Sequence, residues 1–462
     1  MSAQWPPAQL SAQLGYYLIG TVLLCWVAVW NGYPLVFPDS GAYIRAAIEH
    51  HNLADRPIYY SIFIALIHLR LSLWPVVIVQ SLIAVWIIAE ALAVFAPRTG
   101  LWGRLGVILF LAVATGLPWV TGEIMPDFFA PLLVMAFYLI VVEWDRLGWA
   151  KRLLLFGFLC VAQASHYSHV MLTAGLMAVA VFLGIVLRQK LSWRGLGLTA
   201  LATLSAIAAI LAVNYAERRE IIFAPTGNVL LVSRLLEYGT AQDYLARTCP
   251  THPYRICPYV SILPHRVTDF LWRDDSVLNR LGGAEAYRDE AGSLARAIIL
   301  DAPLRHVALA ANATVAQFFY FPTGFGNDVQ GPGQKVTEMI HRYFAREAPS
   351  YDASRQQTGR LYRERFNALH VPVAYGLIGA NLVLLAIAAL RRNGRVVFLL
   401  LVIFAALIGN AFLCGAVSSS DGRYQSRMIL LLVVGLMPLL PGGIFGWPGA
   451  AHRPNGATQL HG

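Results

Sequence analysis

The chain has 462 residues, of which 57% are hydrophobic and 13% charged, about half the charged share of an ordinary soluble domain, and its mean hydropathy is +0.57. That composition excludes a typical cytosolic globule, while 38 Gly, 24 Pro and 5 Cys exclude collagen-like, disordered and disulfide-scaffold classes. A net charge of +10 would point to nucleic acid in a soluble protein; in a chain this apolar it informs through its placement, and no nucleic-acid partner is expected.

Ten runs are apolar enough to be read as membrane helices: Leu14–Trp30, Trp74–Phe95, Leu105–Val120, Phe128–Val142, Leu153–Ala164, Val170–Leu187, Leu196–Tyr215, Val371–Leu390, Val396–Leu413 and Met428–Phe445. The first lacks the basic leader and cleavage site of a signal peptide and is kept as a helix. Ile58–Leu73 is shorter and contains His68 and Arg70, so it is read as an interfacial or partly inserted helix. With the N-terminus cytoplasmic, the turns carrying Arg98 and Arg104, then Arg146, Lys151 and Arg152, then Arg188, Lys190 and Arg194, then Arg391, Arg392 and Arg395 all fall inside. The alternate turns Gly122–Asp127 and Ser165–His169 carry no Lys or Arg. Ser418–Arg427 breaks the rule with Arg423 and Arg427.

The expected fold is therefore an all-α polytopic membrane protein of about ten transmembrane helices, with interfacial helices and an inserted, mostly helical extracytoplasmic domain. Its parts are a transmembrane module over 1–215, the external domain over 216–370, the last helices over 371–446 and a flexible tail over 447–462. Helical runs inside the external stretch are expected at Val229–Arg247, Ala284–Leu300 and Pro303–Tyr320. Cys249 and Cys257 fall in that oxidising compartment and are a candidate disulfide; Cys25, Cys160 and Cys414 read as apolar filler in spans.

This topology sends the conspicuous polar residues to one face. Asp39 follows the first span, Glu123 and Asp127 share the next external turn, His166 and His169 the one after, and Arg423, Tyr424 and Arg427 the last. Each also has a plainer reading. Asp39 could serve only as the N-cap of a helix starting near Ser40, Glu123 and Asp127 as turn residues with Asp127 capping the fourth span, and the histidines as structural side chains. The His166 and His169 spacing suits a metal on a helix, but no third ligand is nearby in sequence. Taken together, acids and arginines at the membrane boundary fit transfer of a group off a lipid phosphate. A carboxylate activates the acceptor, and guanidinium forks hold the phosphate and the charge it develops on leaving.

The order of parts resembles the GT-C superfamily of polyprenyl-phosphate-dependent glycosyltransferases, such as protein O-mannosyltransferases and aminoarabinose transferases. The resemblance lies in Pro38-Asp39-Ser40-Gly41-Ala42-Tyr43, similar to the acidic motif of the first external loop, in the following Arg56-Pro57-Ile58-Tyr59-Tyr60, and in Glu123–Asp127 at the position of the second acidic motif. Asp301-Ala302-Pro303-Leu304-Arg305 resembles a helix start common in bacterial members. It implies that Asp39 activates the acceptor and that Asp127 or Glu123 assists, or helps to hold a divalent cation such as Mg or Mn. The donor would be a polyprenyl-phosphate-linked sugar, the acceptor an extracytoplasmic glycan, lipid or protein, and the setting the inner membrane with both termini cytoplasmic. Arg423, Tyr424 and Arg427, with Arg56, are assigned to the donor phosphate by placement, and Tyr43, His166 and His169 as accessory residues. Two other readings use the same parts. One is an O-antigen ligase or polymerase acting on a diphosphate carrier; the other is a transporter or flippase of lipid-linked sugars, with a structural subunit as the weakest option.

Overall fold

The structure is a computed structural model that describes residues 7–50, 53 and 55–445. The expected tail over 447–462 lies outside these residues. The described chain is all-helical, and six of its helices are long and apolar enough to cross a membrane. In chain order the first ten helices are α1 (Pro7–Asn31), α2 (Ser40–Glu49), α3 (Tyr59–His68), α4 (Trp74–Phe95), α5 (Leu101–Ala114), α6 (Leu117–Thr121), α7 (Phe129–Val142), α8 (Trp149–Ala164), α9 (Tyr167–Val186) and α10 (Trp193–Arg218). Five shorter or more polar ones follow: α11 (Gly227–Glu237), α12 (Thr240–Thr248), α13 (Val267–Leu271), α14 (Val277–Arg280) and α15 (Gly283–Asp301). The chain then forms α16 (Pro303–Phe318), α17 (Lys335–Tyr343), α18 (Ala348–Asp352), α19 (Arg363–Leu390), α20 (Gly394–Ala411), α21 (Gly422–Ser426) and α22 (Ile429–Leu436).

Every apolar run carries helix, yet α1, α4, α9, α10, α19 and α20 alone reach spanning length among the described residues. The run over 105–120 is cut after Ala114 because Thr115 is extended and Pro118 begins a new helix; the Thr115 hydroxyl donates to the Leu111 carbonyl across the break. The last run ends at Leu436, where Pro438 and Pro441 remove the donors that a continuing helix needs. The stretch 58–73 forms the ten-residue α3, about 15 Å long, half the thickness of a hydrocarbon core.

The main core centres on α7, whose residues 129–141 are all buried. The α10 helix approaches it through Gly195, where a Cβ would stand 2.2 Å from the Ile140 carbonyl oxygen, so only glycine permits that distance. Opposite ends of α7 and α20 carry different chemistry. At one end Glu143 pairs with Arg395 at 2.6 Å and Arg146 at 3.3 Å, while nearby Lys151 meets Glu90 at 2.8 Å. Trp102, Trp149 and Trp193 stand exposed at the starts of α5, α8 and α10 beside the basic turns, as in an interfacial aromatic belt. At the other end lie Asp127 and Asn410.

Helices α11 to α15 enclose a second core, built on Val232, Leu236, Leu245, Phe270, Tyr287 and Leu294, and Cys249 and Cys257 form a disulfide at its edge. The later part of the long stretch joins the main body instead. Helix α16 rests on the π-helical turn Phe412–Val417 and on α20, because Gly415 lets Gln317 and the Ala313 carbonyl approach. Residues 321–361 are sewn to the loop after α1: Gln356 brackets Val36 with two hydrogen bonds of 3.1 and 2.6 Å, and Asn31 accepts from the Gln356 backbone at 2.8 Å.

Candidate functional site

The loop after α1 runs beside the turn before α7. Leu35 N–H donates to the Gly122 carbonyl at 2.9 Å, Ile124 N–H to the Leu35 carbonyl at 3.0 Å, and the Ser40 hydroxyl to the Ile124 carbonyl at 2.9 Å. These bonds bring the two acidic segments together across some 85 residues of sequence. From the far end of the chain, α21 is placed against them by α20 and α16. Gln317 exchanges two hydrogen bonds with the Asp421 backbone at 2.9 and 3.0 Å, and Asn410 donates to the Tyr424 carbonyl at 2.7 Å.

Asp39 sits at the N-cap position of α2 but does not cap it, since its side chain makes no such bond. It turns instead to Arg56, 2.8 Å from its Oδ2, with Arg423 at 3.9 Å from the same oxygen. Arg56 also pairs with Asp55 and lies against the buried Tyr43 ring, 5.3 Å from its centroid. Asp127 does not cap α7 either. Its Oδ1 accepts from Arg427 at 2.9 Å and its Oδ2 faces Arg423 at 3.8 Å. Arg427 is buried and also donates to Asn410 at 2.8 Å and the Cys414 sulfur at 3.4 Å. The two arginines that violate the loop-charge rule are thus matched to carboxylates.

Arg423 is the hub. Its guanidinium lies on the Phe37 ring at 3.9 Å, donates to the Tyr424 hydroxyl at 3.2 Å and faces Asp421 at 3.5 Å. Phe37 is fixed from beneath by Gly326, where φ is +80° and a Cβ would fall 2.0 Å from the ring. Asp421, whose carboxylate caps Arg423 N–H at 3.0 Å, and Asn327, Asn410 and Gln317 are members that sequence reasoning missed. Asp421 was the most accessible of these, two residues from Arg423 in a turn already suspect for its charge.

Glu123 is buried and accepts a hydrogen bond from Asn327. Burial, with the Asp127 charge adding and Arg423 opposing, pushes its carboxyl up to about 8, so it carries a proton at neutral pH. A raised acid is a stability cost at high pH. Between its unfolded value near 4.3 and about 8 the folded state holds the extra proton, so this contribution is complete below that window and lost as pH rises through it. Glu123→Gln keeps the oxygen facing Asn327 and removes the titration. We expect its thermal midpoint to equal or exceed wild type at pH 9, with a flatter profile from pH 5 to 9; a parallel profile would contradict this.

His166 caps α9, accepting at Nδ1 from the Ser168 N–H at 3.2 Å, so in the neutral ring Nε2 carries the proton. Burial, with His169 and Arg427 beside it, holds His166 well below the usual imidazole range. His169 Nδ1 meets the Ala162 carbonyl at 2.7 Å, a structural bond. The two histidines gain no third ligand: among the described residues no group of three His, Cys, Asp or Glu is placed to hold a metal ion. The acids implied for a divalent cation do not fit one. Glu123 is turned to Asn327, and Asp39 and Asp127 bracket a guanidinium.

Comparison with protein-family models, curated proteins and solved structures gives no match.

Proposed function

We propose that the protein is a membrane glycosyltransferase of GT-C type, moving a sugar from a polyprenyl-phosphate donor to an extracytoplasmic glycan, lipid or protein. The carrying observation is Asp39. Of the three acids around Arg423 it is the most open, 27% exposed against 16% for Asp421 and 7% for Asp127, and it is flanked by the two partly open guanidiniums of Arg56 and Arg423. An acceptor hydroxyl or amine would meet Asp39, which orients it and takes its proton as the sugar carbon is attacked. Arg56 and Arg423 would face the departing phosphate. Arg427 acts from behind by fixing Asp127.

A lipid carrier needs an apolar path. A groove of about 560 Å³ lies between α3, α4, α7 and α8, lined by Phe63, Trp86, Phe129, Leu154 and Phe158 among others. An aromatic chain of Tyr43, Tyr60, Phe63 and Phe129 links it to Arg56. In this reading the shorter helices α5, α7, α8 and α22 complete a ten-segment bundle in the inner membrane. The basic, Trp-bearing end is cytoplasmic with both termini, and α11 to α15 form an inserted extracytoplasmic domain.

The test is a transfer assay on the purified protein in lipid, comparing polyprenyl-monophosphate and polyprenyl-diphosphate sugars. We expect turnover with a monophosphate donor only. Turnover confined to diphosphate donors would favour a ligase or polymerase, and donor movement across the bilayer without sugar release would favour a flippase.

A further inference from the structure

We infer that Arg423 is a built-in cation, standing where a site of this acidity would otherwise recruit a divalent ion. Three carboxylates from three distant parts of the chain converge on it, each facing a different guanidinium nitrogen: Asp39 on Nη2 at 3.9 Å, Asp127 on Nη1 at 3.8 Å and Asp421 on Nε at 3.5 Å. These separations exceed hydrogen-bond length, and Nε and Nη1 are buried without a hydrogen-bond partner among the described residues. The guanidinium therefore neutralises the acids by charge while keeping donors unspent, which is how a partly coordinated metal behaves: it gathers carboxylates and retains open positions for a ligand oxygen.

The surroundings hold the cation in place. Phe37 supports one part of the guanidinium, the Tyr424 ring lies 4.8 Å away, and Asp421 caps the short helix on which Arg423 rides. Asp39 and Asp127 each have a second arginine, Arg56 and Arg427, but among the described residues Arg423 alone is shared by both. Without it, three acids that are not placed to ligate a bare ion directly would face the vacated position, open to a cation that keeps its water shell.

The experiment uses the full-length protein in detergent with Mn2+ alone as probe, following free Mn2+ by its paramagnetic resonance signal and the thermal midpoint with Mg2+ or a chelator. Wild type is expected to take up no stoichiometric Mn2+ and to keep its midpoint on chelation. Arg423→Ala and Arg423→Gln are expected to bind one Mn2+ with a dissociation constant near 1 mM, the weak end of oxygen-ligand sites, and to lose it when Asp39→Asn is added. Arg423→Lys retains a positive charge and should bind none. A wild-type protein that loses midpoint on chelation and regains it with Mg2+ would overturn the inference, as would a folded Arg423→Ala that takes up no Mn2+. If neither neutral variant folds, the wild-type chelation result decides.

Discussion

Asp39→Asn is expected to lower transfer by about a thousandfold, the scale of a lost general base, with unchanged expression and donor binding. The substitution separates two roles that the sequence could not. Asn caps a helix as well as Asp does, so if Asp39 merely began α2 the variant would work normally. The carboxylate instead points to Arg56 and Arg423, and Asn preserves the shape of those contacts while removing the charge that accepts a proton. The thermal midpoint should move little, since a part-exposed ion pair contributes weakly to stability. Transfer at the wild-type rate would remove Asp39 from the chemistry.

The largest effect on stability is expected at Asp127 and Arg427. Both are buried, and their 2.9 Å bond is fixed further by Asn410. Arg427→Ala strands the carboxylate and Asp127→Ala strands the guanidinium; each should cost about 3 to 5 kcal/mol in unfolding measurements. Replacing both together with apolar residues of similar volume, Asp127→Leu with Arg427→Met, should recover most of that loss, because a removed pair leaves no unpaired charge. Activity should stay low in the double variant, since Asp127 also helps to position Arg423. Additive losses in the double variant would mean the pair is not coupled.

The sequence made the scaffold legible wherever apolar length and charge placement speak directly. Trp74–Phe95 is helical from end to end, and the turns with Arg98, Lys151 and Arg395 gather at one end of the bundle, the last two against Glu90 and Glu143. Arg423 and Arg427 were visible because they break a strong rule, and the break has a physical cause in Asp127 and its neighbours. Helix continuity was harder to read: Thr115 and Pro438 each interrupt an apolar run whose hydropathy alone says nothing of backbone donors. Least legible were contacts made by closure of the chain. Nothing in local spacing tells Asn327 to find Glu123, Gln356 to bracket Val36, or Gly326 to make room for Phe37. The site depends on these because its acids sit in loops, which need partners from elsewhere to stay in place.

We propose that the Asp39, Asp127 and Arg423 cluster opens on the extracytoplasmic side, where it would meet a lipid-linked sugar. The most direct measurement is labelling of single cysteines in intact cells with a membrane-impermeant maleimide, in a background with Cys25, Cys160 and Cys414 replaced by Ala and the Cys249–Cys257 disulfide retained. Ser420→Cys, exposed in the turn before Asp421, should label without permeabilisation, and Lys190→Cys, exposed between α9 and α10, only after it. Labelling of Lys190→Cys in intact cells, with Ser420→Cys protected until the membrane is opened, would place the cluster in the cytoplasm and contradict the account.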